Sequence, residues 1–127
     1  MFSHVVVGTN DLERAKTFYD AVLGQLGYRE GKRRAKGDYV YASESGVFIV
    51  TRPLDGQPAS HANGGTIGFA CRSRDEVERW HAAGIATGGK TDQDPPGVRQ
   101  TEAGPLYVAY MRDPDGNKLC ALHRPAA

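Results

Sequence analysis

The chain has 127 residues, 39% hydrophobic and 24% charged, which suits one compact domain with a real core and excludes two independent ones. Sixteen Lys and Arg against fifteen Asp and Glu leave a formal net charge of +1, so no global field recruits nucleic acid, an anionic membrane surface or a polyanionic substrate. Its two cysteines, Cys71 and Cys120, form no Cys-x-x-Cys spacing, which fits reduced thiols better than a disulfide framework.

The chain opens "MFSHVVVG", without a basic and then apolar leader pattern, and no apolar run approaches the ~20 residues needed to span a bilayer. A cytoplasmic protein with no membrane partner is expected. "HVVVG" reads as a buried strand, and Thr9, Asn10 and Asp11 supply turn and N-cap chemistry. Leu12, Ala15, Phe18, Tyr19 and Val22 then recur at helical spacing on one face, with Gly24 or Gly27 placed to end the helix. The basic run Lys32, Arg33, Arg34 and Lys36 lies between glycines without interleaved aromatics, and reads as a solvated turn rather than a nucleic-acid site. "DYVYAS", a turn at Glu44, Ser45 and Gly46, and "VFIVT" complete a β-α-β-β-β unit. The Gly- and Pro-rich segment 53–65 is the internal linker.

The pattern then begins again. "TIGFA" is a strand, Ser73 or Asp75 caps a helix, and Val77 and Trp80 share a face of it. At an offset of 62, Thr66 falls on His4, Val77 on Ala15, Trp80 on Phe18, His81 on Tyr19 and Ala83 on Ala21, the signature of an internal repeat. A polar segment, "GGKTDQDPPGVRQTEAGP", reads as a loop long enough to act as a lid. "LYVAYMRD", the turn "DPDGN" and "KLCALH" complete the second unit. Setting the Gly116 turn on the Gly46 turn, an offset of 70, places Cys120 on Val50. The expected fold class is α+β, one domain over 1–127 with module one at about 1–52 and module two at about 66–127, their sheets pairing into a curved cup with ligand in the concavity.

His4 opening "HVVVGTNDLERAKTFYDAVLG", then "GTIGFACRSRDEVERWHAAG" and above all "YMRDPDGNKLCAL" resemble the glyoxalase I, bleomycin-resistance and extradiol-dioxygenase superfamily, the vicinal oxygen chelate proteins, along the whole chain. The resemblance implies paired β-α-β-β-β modules, a homodimer and, in metal-dependent members, a divalent ion held from the first and last strands of each module. Those positions here are His4, Val50, Thr66 and Cys120. The resemblance implies His in place of Thr66 and Glu in place of Cys120. Valine donates nothing and a neutral threonine hydroxyl is a poor transition-metal ligand, so the metal site reads as degenerate and no cofactor is expected.

His4 is a candidate hydrogen-bond donor or base, against the alternative of a strand-end histidine satisfied by backbone. One tyrosine of each pair, Tyr39 or Tyr41 and Tyr107 or Tyr110, is placed to line the cup by alternation. Tyr39 and Tyr110 are taken as ligand contacts with His4, Thr66 and Cys120, the last read as an inert thiol. Arg99, in the lid segment, is placed to meet an anionic group. His61 and His81, in the linker and on a helix, and His123, on the face opposite Cys120, are not read as ligands. Two functions compete. One is a metal-independent protein binding a small aromatic or amphipathic molecule in the cup. The other is a lyase or isomerase resembling lactoylglutathione lyase, in which Zn, Ni, Mn or Fe polarises a carbonyl while a carboxylate moves a proton. Neither "VFIVT" nor "KLCALH" carries that carboxylate, which favours the binding reading.

Overall fold

The computed structural model describes residues 1–125. β1 (His4–Gly8) leads into α1 (Leu12–Gly24), where the Asp11 carboxylate accepts the Arg14 N–H at 3.0 Å and caps the helix. After α1 the chain reverses at Gly27, φ +92°, and the Tyr28 N–H donates to the Leu23 carbonyl at 3.1 Å, a left-handed close that glycine permits. β2 (Lys32–Arg33), β3 (Tyr39–Ser43) and β4 (Gly46–Thr51) complete a sheet of order β1-β4-β3-β2, with β1 parallel to β4.

The second half repeats the plan. β5 (Ile67–Ala70) precedes α2 (Arg74–Ala86), capped by the Ser73 hydroxyl accepting the Glu76 N–H at 3.0 Å. β6 (Lys90–Thr101), β7 (Gly104–Arg112) and β8 (Lys118–His123) follow in a sheet of order β5-β8-β7-β6, again with the first and last strands parallel. Both helices have 13 residues and superpose at the offset of 62. No helix among the described residues is long and apolar enough to cross a membrane.

Two expectations change. The polar segment after α2 is no lid: it is strand β6, paired to β7 over 90–92 and 97–101, with a register shift between Asp92 and Gly97. An edge strand tolerates Pro95 and Pro96, and the irregularity absorbs them, with Gln93 at φ 60°. The second change is one of register. Val5 pairs with Phe48 and Ile67 with Leu119, so with β1 and β5 superposed the final strands match at an offset of 71, Leu119 over Phe48. Cys120 therefore corresponds to Ile49. Val50 is 1% exposed in the core against the helices and belongs to the opposite face, because a one-residue slip inverts a strand.

A single apolar core runs through both modules. Tyr19, Phe48, Phe69 and Trp80 form a chain of ring contacts with successive centroids 4.8, 5.7 and 6.4 Å apart, crossing from α1 and β4 to β5 and α2. The turn between β7 and β8 adds a polar clasp. Asp113, 4% exposed, accepts the Tyr19 hydroxyl, the N–H groups of Asp115 and Asn117 at 2.9 Å, and the Asn117 side-chain amide at 2.9 Å. Asp115 reaches the other module, accepting the Thr9 hydroxyl at 2.6 Å, the Asn10 N–H at 2.9 Å and the Arg14 guanidinium at 2.8 Å. Burial, then the Asp113 charge, push the Tyr19 hydroxyl well above its ordinary pKa, so Tyr19 remains a donor.

Tyr19→Phe removes one donor from a buried carboxylate that keeps three others. It is expected to cost about 1–3 kcal/mol, read as a lower urea midpoint at unchanged m-value; an unchanged midpoint would show that the clasp carries no stability.

Candidate functional site

The helices cover one face of each sheet, and strand alternation fixes what the other face presents. In sheet A, Tyr39, Tyr41, Phe48 and Val50 turn to the helices. Register then sets two cross-strand rows on the open face, Lys32, Val40, Ile49 and Val6 in one and Ala42, Val47 and His4 in the other. In sheet B, Leu119, Ala121, Ala109 and Met111 face the helices, leaving the row Asp92, Tyr110, Cys120 and Gly68 open. Val6 and Gly8 of the first module line one cavity, of about 330 Å³, with Thr66 and Lys118 of the second. The open faces thus lie on the same side.

The residues singled out from the sequence are distributed unevenly over this surface. His4 is exposed, its Nδ1 2.7 Å from the Ser3 hydroxyl, and it lines a cavity of about 150 Å³ with Phe2, Val47 and Gly68. Thr66 lines a different cavity. Tyr110 and Cys120 are opposed across β7 and β8, and the Lys118 ammonium lies 5.1 Å from the Tyr110 ring centroid. Tyr39 is a correction: it is 5% exposed on the helix side, and its hydroxyl donates to Glu13 at 2.6 Å. Arg99 is held on its own strand, its guanidinium donating to the carbonyls of Asp94 at 3.2 Å and Pro95 at 2.9 Å. There it braces the irregular part of β6 rather than a moving lid.

The sequence reading missed Arg29, Lys32 and Arg34. With Glu30 they edge a basin of about 550 Å³ whose floor is Val40, Ala42, Val47 and Ile49. The signal was present in the hairpin: pairing Lys32 with Val40 puts Lys32 on the open face, while its neighbour Arg33, opposite Tyr39, turns to the helix side and lies 3.9 Å from Glu13. The basic run is exposed throughout, as a solvated turn requires, but its side chains divide between the two faces.

The divalent ion that the resemblance implies does not fit these residues. Among the described residues no three His, Cys, Asp or Glu side chains are grouped to hold a metal. Ile49, the true counterpart of Cys120, offers no donor, and a thiol must ionise to ligate. Cys120, 4% exposed, is shifted the other way: burial raises its pKa, and the Tyr110 hydroxyl and the charges of Lys118 and Arg99 offset only part of that. Cys71 is pushed up to about 11 by burial and then by the Glu76 charge.

Residues 1–121 match the family model described as Glyoxalase/Bleomycin resistance protein/Dioxygenase superfamily. A crystal structure of a glyoxalase/bleomycin resistance protein from Albidiferax ferrireducens T118 is 56% identical, with a TM-score of 0.94 over 98% of this chain and 99% of that one. A glyoxalase-related enzyme from Fulvimarina pelagi is 18% identical with a TM-score of 0.75, over 98% of this chain and 88% of that one. A lactoylglutathione lyase from Agrobacterium tumefaciens is 18% identical with a TM-score of 0.66, over 97% of this chain and 92% of that one. At that identity the last two share the fold. No curated protein matches the chain.

Both thiols are buried and protonated at neutral pH. The native protein is expected to react negligibly with Ellman's reagent at pH 8 over minutes and to release two equivalents once unfolded in guanidinium; rapid native labelling of Cys120 would contradict the geometry.

Proposed function

The chain belongs to the Glyoxalase/Bleomycin resistance protein/Dioxygenase superfamily, and from that premise we propose that it binds a small amphipathic molecule against its concave face without a divalent metal. One observation carries this reading. Where a metal-dependent enzyme needs converging donors, the central rows present Val6, Ile49 and Val40, then Val47 and Ala42, with His4 as their one imidazole. Such a surface suits the apolar body of a ligand, and Tyr110 adds an aromatic face beside it.

A lyase or isomerase also needs a base within hydrogen-bond reach of the proton it moves. Of the carboxylates at the open face, Asp92 accepts from Arg112 at 2.7 Å, and Glu30, 81% exposed at the basin edge, lies 3.4 Å from the Lys16 ammonium. His4 is left to hydrogen-bond a polar ligand atom at the seam between β1 and β5. Binding therefore requires less of this site than turnover does.

Metal content tests the reading. After soaking the folded protein in nickel, zinc, manganese or iron(II) and desalting, well under one equivalent of metal is expected. Near-stoichiometric metal that disappears in His4→Ala would overturn the metal-free reading and restore the lyase.

We also infer a homodimer, supported by apolar side chains left on the surface away from the central rows, with Phe2 72% and Val98 45% exposed. Light scattering at working concentration is expected to give twice the 13.7 kDa chain mass, and a monomer mass would contradict it.

A further inference from the structure

We propose that the basin over sheet A selects an anionic amphiphile, a small molecule with one carboxylate headgroup and an apolar body. The inference rests on the concave-face reading above and adds to it the charge of the ligand and the residues that read it.

The floor of the basin is aliphatic: Val40, Ala42, Val47 and Ile49. Burying an apolar ligand body there removes hydrocarbon surface on both sides from water, at roughly 25 cal/mol per Å². This gives affinity without charge preference. Preference comes from the edge. Arg29, Lys32 and Arg34 stand there against one carboxylate, Glu30, which is 81% exposed and engaged with Lys16. Among the described residues, no carboxylate lies within 4.0 Å of a side-chain nitrogen of Arg29 or Lys32. Arg34 is oriented by Asp38, which accepts from its Nε at 2.8 Å and its Nη2 at 2.6 Å, while its Nη1 makes no hydrogen bond among the described residues.

The edge cations therefore differ in kind. Arg34 is held in place by a carboxylate 1% exposed that also lies 3.5 Å from the Lys36 ammonium, so it supplies directed donors. Arg29 and Lys32 supply the net charge. A carboxylate arriving there meets charge-assisted donors over a low-dielectric floor, where such contacts are stronger than in bulk water. A neutral headgroup would gain less, and an ammonium would be repelled. On the open face of sheet B, Lys118 lies over Tyr110, and Asp92 is engaged by Arg112.

Octanoate, 1-octanol and octylamine share one apolar body and differ in head charge, and their binding to the full chain can be followed by NMR shift perturbation and calorimetry. Octanoate is expected to bind about tenfold or more tightly than 1-octanol, with octylamine weakest, and to perturb amides of β3 and β4. The Arg29→Gln, Lys32→Gln double variant should lose about tenfold in octanoate affinity with octanol unchanged, while Arg79→Gln, on the far side of α2, changes neither. Equal binding of the three probes would overturn the charge selectivity and leave the concave-face reading standing. Binding by none of them would overturn both. Ala42→Glu should abolish octanoate binding at unchanged molecular mass; conversion of a dimer to a monomer by that variant would assign the basin to a second copy of the chain and overturn the proposal.

Discussion

Asp113 holds together what the two sheets do not. No ladder joins β1 to β5, so the modules meet along an unpaired seam, and a shared core alone would let them slide. The Asp113 carboxylate is buried without a cation and is satisfied by hydrogen bonds alone, which is viable only while nearly all its partners are present. Three of those partners belong to its own turn, so the turn is stiff before it docks. The fourth, Tyr19, lies 94 residues away on α1. A rigid turn fixed to α1 brings Asp115 to the end of β1, where Thr9, Asn10 and Arg14 receive it, and brings the Asn117 amide to the Gly8 carbonyl at 3.3 Å. The relative setting of the open faces follows from that clasp.

Strand parity then decides the chemistry of the cup. A residue one position along a strand leaves the ligand for the helices. Val50 and Tyr39 show how far this matters: each neighbours an open-face residue, Ile49 or Val40, and neither reaches the cup. Turn lengths differ between the modules, so aligning glycines in the turns misplaces the final strand by one residue, whereas aligning hydrogen-bonded partners does not.

Much of the fold was legible because local physics carried it. Asp11 and Ser73 cap as their side chains dictate, the helical periodicity of Phe18, Tyr19, Val22 and Trp80 delivers the core, and the offset of 62 holds through both helices. What was not legible depended on pairing across distance. The segment around Pro95 and Pro96 carries turn residues and leaves the ladder there, but the residues on either side, 90–92 and 97–101, pair with β7 and make the whole an edge strand. Lys32 and Arg34 read as a solvated turn and are exposed; that they also edge the basin needed Val40 opposite Lys32. Of the candidate site, Tyr110 and Cys120 could be read from alternation, while the basic edge could not.

Four tyrosines serve as donors to carboxylates away from the open faces. Tyr19, Tyr39, Tyr41 and Tyr107 donate to Asp113, Glu13, Asp20 and Glu78, and three of those acceptors sit on the helices. A phenol satisfies a carboxylate without neutralising it, although Asp20 also meets Lys16 at 2.5 Å and Glu13 lies 3.9 Å from Arg33; burial first, then Asp113 or Asp20, raises the pKa of Tyr19 and Tyr41, while the hydrogen bond to Glu13 or Glu78 raises that of Tyr39 and Tyr107. Arg29, Lys32 and Lys118 meanwhile stand on the open side of the sheets. A small ligand on the concave side experiences the charges nearest it rather than the balance of +1, since beyond about 10 Å exposed charges are largely screened at moderate ionic strength. Net charge therefore argues correctly against polyanion binding by the whole molecule and says nothing about the sign of the ligand that one face selects.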